Sequence, residues 1–230
     1  MAAEALKCGE IHFLRAIEHS SCLRLYESRY RFYRADIHPQ SGAVLNVSVK
    51  GMLQRIHIIG GPGSGKSYAA RHLSRRLGIP AYDLDVLFWD SAAKSYGLRA
   101  SDEDRDAKLM AITNKAAWVI EGVYYCWLKP SFERADIIFV LCPNVYLRDW
   151  RILKRFVSRK LGIIPSKRES LLDLNRLIQW NHKYDADNLQ RAMDFINEFK
   201  DKIVACHCAD DLLVRVMQEL ANTSGKDSRS

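Results

Sequence analysis

The residues with the clearest chemical signature form one run, Gly60-Gly61-Pro62-Gly63-Ser64-Gly65-Lys66-Ser67. This run matches the pattern G-x-x-x-x-G-K-[ST] at every fixed position. Its glycines let successive backbone N–H groups turn inward around an anion, and the N-terminus of a following helix adds its dipole. Lys66 is predicted to be a catalytic residue that reaches the β- and γ-phosphates of a nucleotide, and the Ser67 hydroxyl is expected to ligate Mg²⁺. We therefore predict a nucleotide site over residues 60–68, Tyr68 included, with ATP and Mg²⁺ as its ligands.

Two aspartates, Asp83 and Asp85, lie at the end of a second predicted strand. Ligands bind at the carboxyl-terminal edge of an open α/β sheet, and residues i and i+2 share one face of a strand. The two carboxylates are therefore predicted to address Mg²⁺ or an acceptor hydroxyl together. Asp85 is the predicted catalytic group that orients or deprotonates the acceptor. The alternative, that either aspartate caps the following turn, stays open.

A third carboxylate, Glu121, ends a further predicted strand and is followed by Gly122. By the same edge argument, Glu121 suits an outer-shell contact to Mg²⁺ or a hold on the acceptor. The predicted acceptor site thus consists of Asp83, Asp85, Glu121 and Gly122. The predicted metal site consists of Ser67, Asp83 and Glu121.

Most of the positive charge of the chain lies in residues 148–168. This stretch holds eight basic side chains and a single acid, in a chain whose formal net charge is +8. Its arginines at positions 148, 151, 155 and 159 are spaced so that they share one face of a helix. Because phosphoryl transfer is catalysed by positioning and charge neutralisation, this face predicts a lid with Arg151 and Arg155 as catalytic residues and Arg151 also contacting the nucleotide. A solvated helix face, or a site for an anionic partner such as nucleic acid, is the alternative.

Strand-like and helix-like segments alternate from residue 52 onward and position these side chains. Five strands are predicted, near residues 53–59, 81–84, 118–120, 137–141 and 203–206, the first of them a short apolar run that ends in glycines. Capping and stop signals predict two helices in the first half, over 66–77 and 101–116. A third begins near 145 and is broken by Pro165, and a fourth follows the capping box of Ser166 and Glu169. An apolar face from Leu189 to Phe199 marks a fifth, and a sixth runs from Asp210 to about 221. The alternation predicts an α/β fold, a P-loop three-layer sandwich with a five-stranded parallel sheet, helices on both faces and a helical arginine-bearing lid.

The predicted domain organisation has three parts. Residues 1–51 show weak periodicity and are predicted to be an N-terminal extension of uncertain structure; a regulatory or partner-binding arm is the alternative. Residues 52–222 form the P-loop domain, with the lid at about 148–168, and residues 223–230 form a flexible polar tail.

The composition of the chain restricts its class. The chain has 230 residues, of which 48% are hydrophobic, which is enough for one well-buried domain. No apolar run approaches the roughly 18 residues of a membrane span, and no secretory signal is expected. Six scattered cysteines without CxxC pairs favour reduced thiols over a disulfide framework or a zinc site. We therefore expect a cytoplasmic protein without a membrane partner.

Taken in order, these motifs resemble the adenylate-kinase-like P-loop proteins, and more narrowly the branch of the DNA topology modulation proteins. The resemblance covers about residues 52–220. It is carried by GxPGSGKS and by the following segments: the D-x-D of Asp83 and Asp85 with Leu87-Phe88-Trp89, Trp118-Val119-Ile120-Glu121-Gly122-Val123-Tyr124, Arg134-Ala135-Asp136-Ile137-Ile138 with Pro143, Trp150-Arg151-Ile152-Leu153-Lys154-Arg155, and Trp180-Asn181.

The resemblance implies a five-stranded parallel sheet, a nucleotide with Mg²⁺ and an arginine-bearing lid. Glu121-Gly122 stands where nucleoside monophosphate kinases carry an Asp-Gly pair, and Asp83 and Asp85 stand where shikimate-kinase-like enzymes carry paired aspartates. Residues 208–210, Cys-Ala-Asp, stand where such kinases form the adenine-contacting loop.

Two departures from the family pattern bear on the substrate. The Asp-Gly-Phe-Pro-Arg sequence of adenylate kinases is absent, which argues against AMP as the acceptor. Leu141 stands where the branch often carries an acidic residue, so Glu121, Asp83 and Asp85 remain as the carboxylates on the metal side.

Three functional hypotheses follow. The leading one is an ATP-dependent kinase that transfers the γ-phosphoryl group to a small acceptor, either a nucleotide or a hydroxylated metabolite. The second is a nucleotide-dependent nucleic-acid-binding or regulatory protein, and the third is an NTPase without a dedicated acceptor. The sequence leaves the identity of the acceptor and the oligomeric state open.

Overall fold

The structure of the chain, a computed structural model, describes residues 53–90, 98–164 and 170–224. Several predictions therefore lie outside the described residues. They are the extension over residues 1–51, the helix break at Pro165, the capping box of Ser166 and Glu169, and most of the tail.

Five parallel strands form one sheet, in the order β2-β3-β1-β4-β5. Their bounds are β1 Arg55–Gly60, β2 Ala81–Asp83, β3 Trp118–Gly122, β4 Ile137–Leu141 and β5 Ile203–Cys206. The central strand β1 pairs with β3 on one side and with β4 on the other. Because helices cover both faces, the central strands are buried almost throughout and are continuous apolar runs in the sequence. The predicted five-stranded parallel sheet is confirmed.

The described residues form eight α-helices around this sheet. Their bounds are α1 Lys66–Leu77, α2 Leu84–Phe88, α3 Asp102–Thr113, α4 Lys129–Arg134, α5 Val145–Lys160, α6 Leu171–Tyr184, α7 Asn188–Ile196 and α8 Ala209–Ser224, with a 3-10 helix over Asn197–Lys202 before β5. Local capping sets several ends. Gly78 ends α1 in the left-handed region at φ 69°, and the Ser101 hydroxyl accepts a hydrogen bond from Asp104 N at 3.1 Å to start α3.

The side chains of the sheet separate into two apolar cores. Ile56 and Ile58 pack with α1 and α8 on one face, whereas Ile59 packs on the other face with residues of α2, α3, α4 and α7. This separation follows from the alternation of side chains along a strand. The three-layer arrangement is thereby confirmed.

Several predicted boundaries are wrong. The second strand ends at Asp83 rather than at residue 84, because Asp83 is the N-cap of α2 and the chain turns helical at Leu84. Helix α3 ends at Thr113 rather than near 116, and α7 ends at Ile196, so that Phe199 belongs to the 3-10 helix.

The basic helix also ends earlier than predicted. It stops at Lys160, where Leu161 caps it and Gly162 takes a left-handed conformation at φ 71°. The next helix begins after Ser170, whose hydroxyl and backbone N–H form a reciprocal capping box with Asp173. Gly162 therefore follows the end of α5, and the Ser170-x-x-Asp173 pattern marks the start of α6.

Candidate active site

The phosphate-binding loop connects the end of β1 to the start of α1. Gly63 and Gly65 have positive φ angles of 72° and 97°, which side chains with a Cβ rarely adopt. Gly60 is closely enclosed, because a Cβ there would lie 2.6 Å from Ser64 Oγ and 3.1 Å from Leu141 O. Ser64 N donates to Gly61 O at 3.2 Å and tightens the turn. The glycines of the sequence motif thus stand where this backbone path requires them.

Lys66 and Ser67 are the first two residues of α1, and both side chains point toward the end of β3. Lys66 Nζ donates to Gly61 O at 3.3 Å across the loop. Burial lowers the pKa of Lys66, while the negative charges of Glu121, Asp85 and Asp83 oppose that effect. The ammonium group is therefore held at the concave side of the loop, close to three carboxylates. This position suits a contact to phosphate oxygens.

Glu121 is the buried carboxylate of the site, with only 3% of its surface exposed. It lies near the end of β3 beside Ile58 of β1 and accepts a hydrogen bond from the Ser67 hydroxyl. Burial raises the pKa of Glu121, and the charge of Lys66 and the Ser67 hydrogen bond oppose the rise. Among the described residues, its Oε2 atom has no hydrogen-bond partner. A buried carboxylate oxygen of this kind requires a donor or a cation to be satisfied.

Gly122 explains how α2 can approach this strand. A Cβ at Gly122 would lie 2.7 Å from Leu84 Cδ1 and 2.9 Å from Leu84 Cβ. Gly122, predicted as part of the acceptor site, therefore also has a packing role, because the missing side chain lets the first turn of α2 lie directly on β3.

Asp83 and Asp85 stand at the same edge of the sheet, but they do not share a strand face as predicted. Asp83 ends β2, and its Oδ1 accepts a hydrogen bond from Asp85 N at 2.9 Å as the cap of α2. Asp85 lies in the first turn of that helix. The capping alternative therefore holds for Asp83. Both side chains remain exposed, and both carboxylates act on the pKa of Lys66.

Tyr124 is a site residue that the sequence reasoning missed. Its hydroxyl donates to Asp85 Oδ1 at 2.9 Å, and its ring stacks on Phe88 with centroids 4.5 Å apart. Burial and the nearby charge of Asp85 raise the pKa of Tyr124, which keeps the phenol a neutral donor. Its place just after Glu121-Gly122, at the end of a strand, was the available signal.

The donor set at this edge fits Mg²⁺. The Ser67 hydroxyl and the unsatisfied Oε2 of Glu121 are hard oxygen ligands, and Asp83 lies opposite Glu121 in the β2–β3 register. In the described parts of the chain, no three His, Cys, Asp or Glu side chains converge on one metal position. Such a sparse protein contribution is typical of Mg²⁺, which is held largely by water and substrate phosphates.

The four arginines of α5 do not form one exposed face. Arg148 is fully buried and pairs with Asp185, with Nη1 2.7 Å from Oδ1, so it does not belong to a solvent-facing basic stripe. Arg151 is half-buried, and its Nη1 donates to Gly63 O and Ser64 O at 3.2 Å each. Arg155 is exposed, and its charge contributes to lowering the pKa of Lys66. Two of the predicted arginines thus stand at the phosphate-binding loop or within electrostatic reach of its lysine.

The start of α8 is the other neighbour of the loop. A Cβ at Gly65 would lie 3.3 Å from Ala209 Cβ, so the residues that follow β5 reach the mouth of the loop. Ala209, within the segment 208–210 that resembles an adenine-contacting loop, is therefore a direct neighbour of Gly65. Tyr68 is exposed, with its ring 4.4 Å from that of His72.

The chain is similar to known small-molecule kinases over part of its length. No family model matches it. It is 30% identical over 111 residues to a cytidylate kinase of Pyrobaculum aerophilum, which is 44% of this chain and 59% of that protein. It is 57% identical over 37 residues to a shikimate kinase of Paracidovorax citrulli, which is 16% of this chain and 20% of that protein. The matched segments thus cover no more than about three fifths of these relatives.

Solved structures of kinases also align with the chain. They include shikimate kinase from Acinetobacter baumannii in complex with shikimate (18% identity, TM-score 0.43, 74% of this chain and 94% of that one). Shikimate kinase from Bacteroides thetaiotaomicron aligns at 14% identity and TM-score 0.46, over 74% and 98%. A gluconokinase from Sinorhizobium meliloti 1021 aligns at 19% identity and TM-score 0.34, over 61% and 97%. Separately, within the described residues no helix has the length and apolarity to span a bilayer.

Proposed function

We propose that the chain is a P-loop kinase that transfers the γ-phosphoryl group of ATP to a small acceptor with Mg²⁺. The observation that carries the proposal is the meeting of Lys66 and Ser67 with the carboxylates of Asp83, Asp85 and Glu121 at one sheet edge. The similarity to cytidylate and shikimate kinases supports it. We further propose that the chain belongs to the topology modulation branch and acts in the cytoplasm. Its catalytic domain in this proposal spans residues 52–222.

The loop binds the phosphates of ATP in this proposal. Its backbone amides and Lys66 Nζ contact the β- and γ-phosphates, and Ser67, Glu121 and Asp83 would hold Mg²⁺. When bound, the metal neutralises charge on the phosphate oxygens. The hydrogen bond from Ser67 to Glu121 keeps the hydroxyl and the carboxylate side by side at the first turn of α1.

Asp85 handles the acceptor. Its carboxylate accepts the proton of the acceptor hydroxyl while that oxygen bonds to the γ-phosphorus and the bond to the ADP oxygen breaks. The Tyr124 hydroxyl, 2.9 Å from Asp85 Oδ1, fixes the orientation of the carboxylate. In this proposal Gly122 and Asp83 also contact the acceptor.

The arginines of α5 complete the site. Arg151 is already bonded to the outer carbonyls of the loop, at Gly63 and Ser64, and would contact the nucleotide there. Arg155 lies one turn further along α5 and, in this proposal, closes over the transferring group. Both would neutralise charge that spreads over the γ-phosphoryl oxygens in the transition state.

A coupled ADP-release assay across nucleotides and hydroxylated metabolites tests the function. We expect one acceptor class to stimulate ADP release well above the rate with water, and we expect the Lys66→Ala variant to show no stimulation. If no acceptor raises turnover above the water background, the chain is an NTPase or a nucleotide-binding protein rather than a kinase.

Nucleic-acid binding is the second candidate, and one observation favours it. Lys154, Arg155 and Lys160 of α5 are exposed to solvent, where the phosphates of a nucleic acid can reach them. Binding through phosphates would weaken steeply as salt rises, because counterions are released. A fluorescence-anisotropy titration with a labelled duplex at about 50 and 200 mM salt distinguishes the cases. No binding at the lower salt removes this candidate.

A further inference from the structure

The most unusual polar group outside the proposed chemistry is the side chain of Arg148 in α5. It is fully buried, and its guanidinium has two partners on the α6 side: Asp185 Oδ1 at 2.7 Å and Asn181 O at 3.2 Å. The guanidinium also lies over the ring of Tyr184, 5.6 Å from its centroid. A buried charge is tolerated only when it is paired and hydrogen-bonded in this way. The pair therefore fixes the geometry of α5 against the end of α6.

This buried pair lies directly behind the phosphate-binding loop. A Cβ at Gly61 would lie 2.8 Å from Arg148 Nη1 and 2.9 Å from Tyr184 Cδ1, and a Cβ at Gly63 would lie 2.6 Å from Arg148 O. The backbone at both glycines is thus in close contact with Arg148. Any movement of the guanidinium toward the loop would push on the peptide groups that are expected to bind phosphate.

Neighbouring contacts extend the same arrangement. One turn along α5, Arg151 bonds the outward-facing carbonyls of the loop. On the α6 side, Asn181 Nδ2 donates to Asp149 Oδ1 at 2.7 Å, next to Arg148 in the chain. Helix α5 therefore contacts the loop through both Arg148 and Arg151, and α6 in turn packs against α5.

We propose that Arg148, held by Asp185, is a positioning residue for the phosphate-binding loop, so that the packing of α5 on α6 sets the affinity for nucleotide. The inference rests on the proposed nucleotide site and adds a determinant that touches neither ATP nor the acceptor. Since thermodynamic coupling is reciprocal, bound nucleotide also stabilises the contact between α5 and α6.

Calorimetric titration of the full chain with MgATP tests the inference. Asp185→Ala removes the acceptor of the guanidinium, and Arg148→Lys removes the fork that reaches both partners. We expect each to weaken MgATP binding by about tenfold or more, because small displacements of a preorganised site are costly. Asp185→Asn keeps an oxygen at the same place but removes the pairing charge, so it is expected to weaken binding less than Asp185→Ala does. All titrations are run at a temperature where circular dichroism shows the variants folded.

The matched control is another ion pair at the opposite end of β1. Asp136 bonds Arg55 at 2.9 Å and accepts from the backbone N–H groups of Gln54 and Arg55, far from the loop along the strand. We expect Asp136→Ala to lower the melting temperature and leave MgATP affinity unchanged. If Asp136→Ala weakens binding as much as Asp185→Ala, or if Asp185→Ala and Arg148→Lys bind like the wild type, the inference is wrong.

Hydrogen exchange of the wild type gives a second measurement that needs no variant to fold. MgATP should slow amide exchange at residues 180–184 as well as in the loop, and unchanged exchange in α6 would overturn the inference while leaving nucleotide binding intact. A wild-type chain that binds no MgATP would instead overturn the proposed function, and this inference with it.

Discussion

The imidazole of His57 offers a quantitative test of how the sheet beneath the site is built. His57 lies on β1, three residues before the loop, and is fully buried. Its Nδ1 is 2.8 Å from Ser131 Oγ, and its ring lies 4.6 Å from that of Phe132. Burial lowers the pKa of His57 from 6.5 to about 3. The ring is therefore neutral in the folded protein across the physiological range.

The lowered pKa makes folding stability depend on pH with a definite sign. Between pH 6.5 and 3 the unfolded chain binds a proton at His57 that the folded chain does not. The free energy of unfolding must therefore fall as pH drops through this window and level off below pH 3. For these two pKa values, the His57 contribution falls by about 2 kcal/mol between pH 6.5 and 4.5.

Urea unfolding followed by circular dichroism at several pH values between 4.5 and 7.5 measures this contribution. His57→Asn keeps a hydrogen-bonding atom near Ser131 but cannot titrate. Its stability difference from the wild type should therefore shift by about 2 kcal/mol between pH 6.5 and pH 4.5. Ser131→Ala is the control, because it removes the hydrogen bond, lowers stability by about 1 kcal/mol at every pH and leaves the histidine buried. Parallel curves for the wild type and His57→Asn would refute the burial argument.

The remaining predictions concern the site itself. Lys66→Ala should abolish turnover, measured by ADP release, because the charge at the β- and γ-phosphates is lost. Asp85→Asn should leave MgATP affinity by calorimetry nearly intact and remove transfer to the acceptor; unchanged transfer would mean that Asp85 has only a local structural role. Gly122→Ala should lower the free energy of unfolding by about 1–3 kcal/mol, because its Cβ collides with Leu84, and pairing it with Leu84→Ala should recover part of that loss in a denaturation experiment.

The sheet and the phosphate-binding loop were predictable because their signals are local. A strand buried on both faces is a continuous apolar run in the sequence. In the loop, Gly63 and Gly65 have the positive φ angles that favour glycine, so the motif itself indicates the backbone path. Strands β1, β3 and β4, which are buried almost throughout, and the helix after the loop therefore followed from short stretches of sequence.

The aspartates show where local reasoning reached its limit. The spacing of Asp83 and Asp85 fits both a strand with two residues on one face and a helix that begins after an aspartate cap. The cap prevails because the helix buries its residues Leu84 and Leu87 in the core, with Leu84 packed against Gly122. Tertiary packing, which the spacing does not encode, decides between the two.

Arg148 shows the same limit for the basic helix. The spacing of the arginines correctly places them on related turns of α5, but a helix period cannot indicate which turn meets the loop and which meets water. Asp185, the residue that lets Arg148 be buried, lies 37 positions away in another part of the chain, just after α6. The face therefore divides, with Arg148 turned inward behind Gly61, Arg151 at the rim of the loop and Arg155 exposed. In the inference drawn above, the Arg148 guanidinium therefore positions the phosphate-binding loop instead of facing solvent.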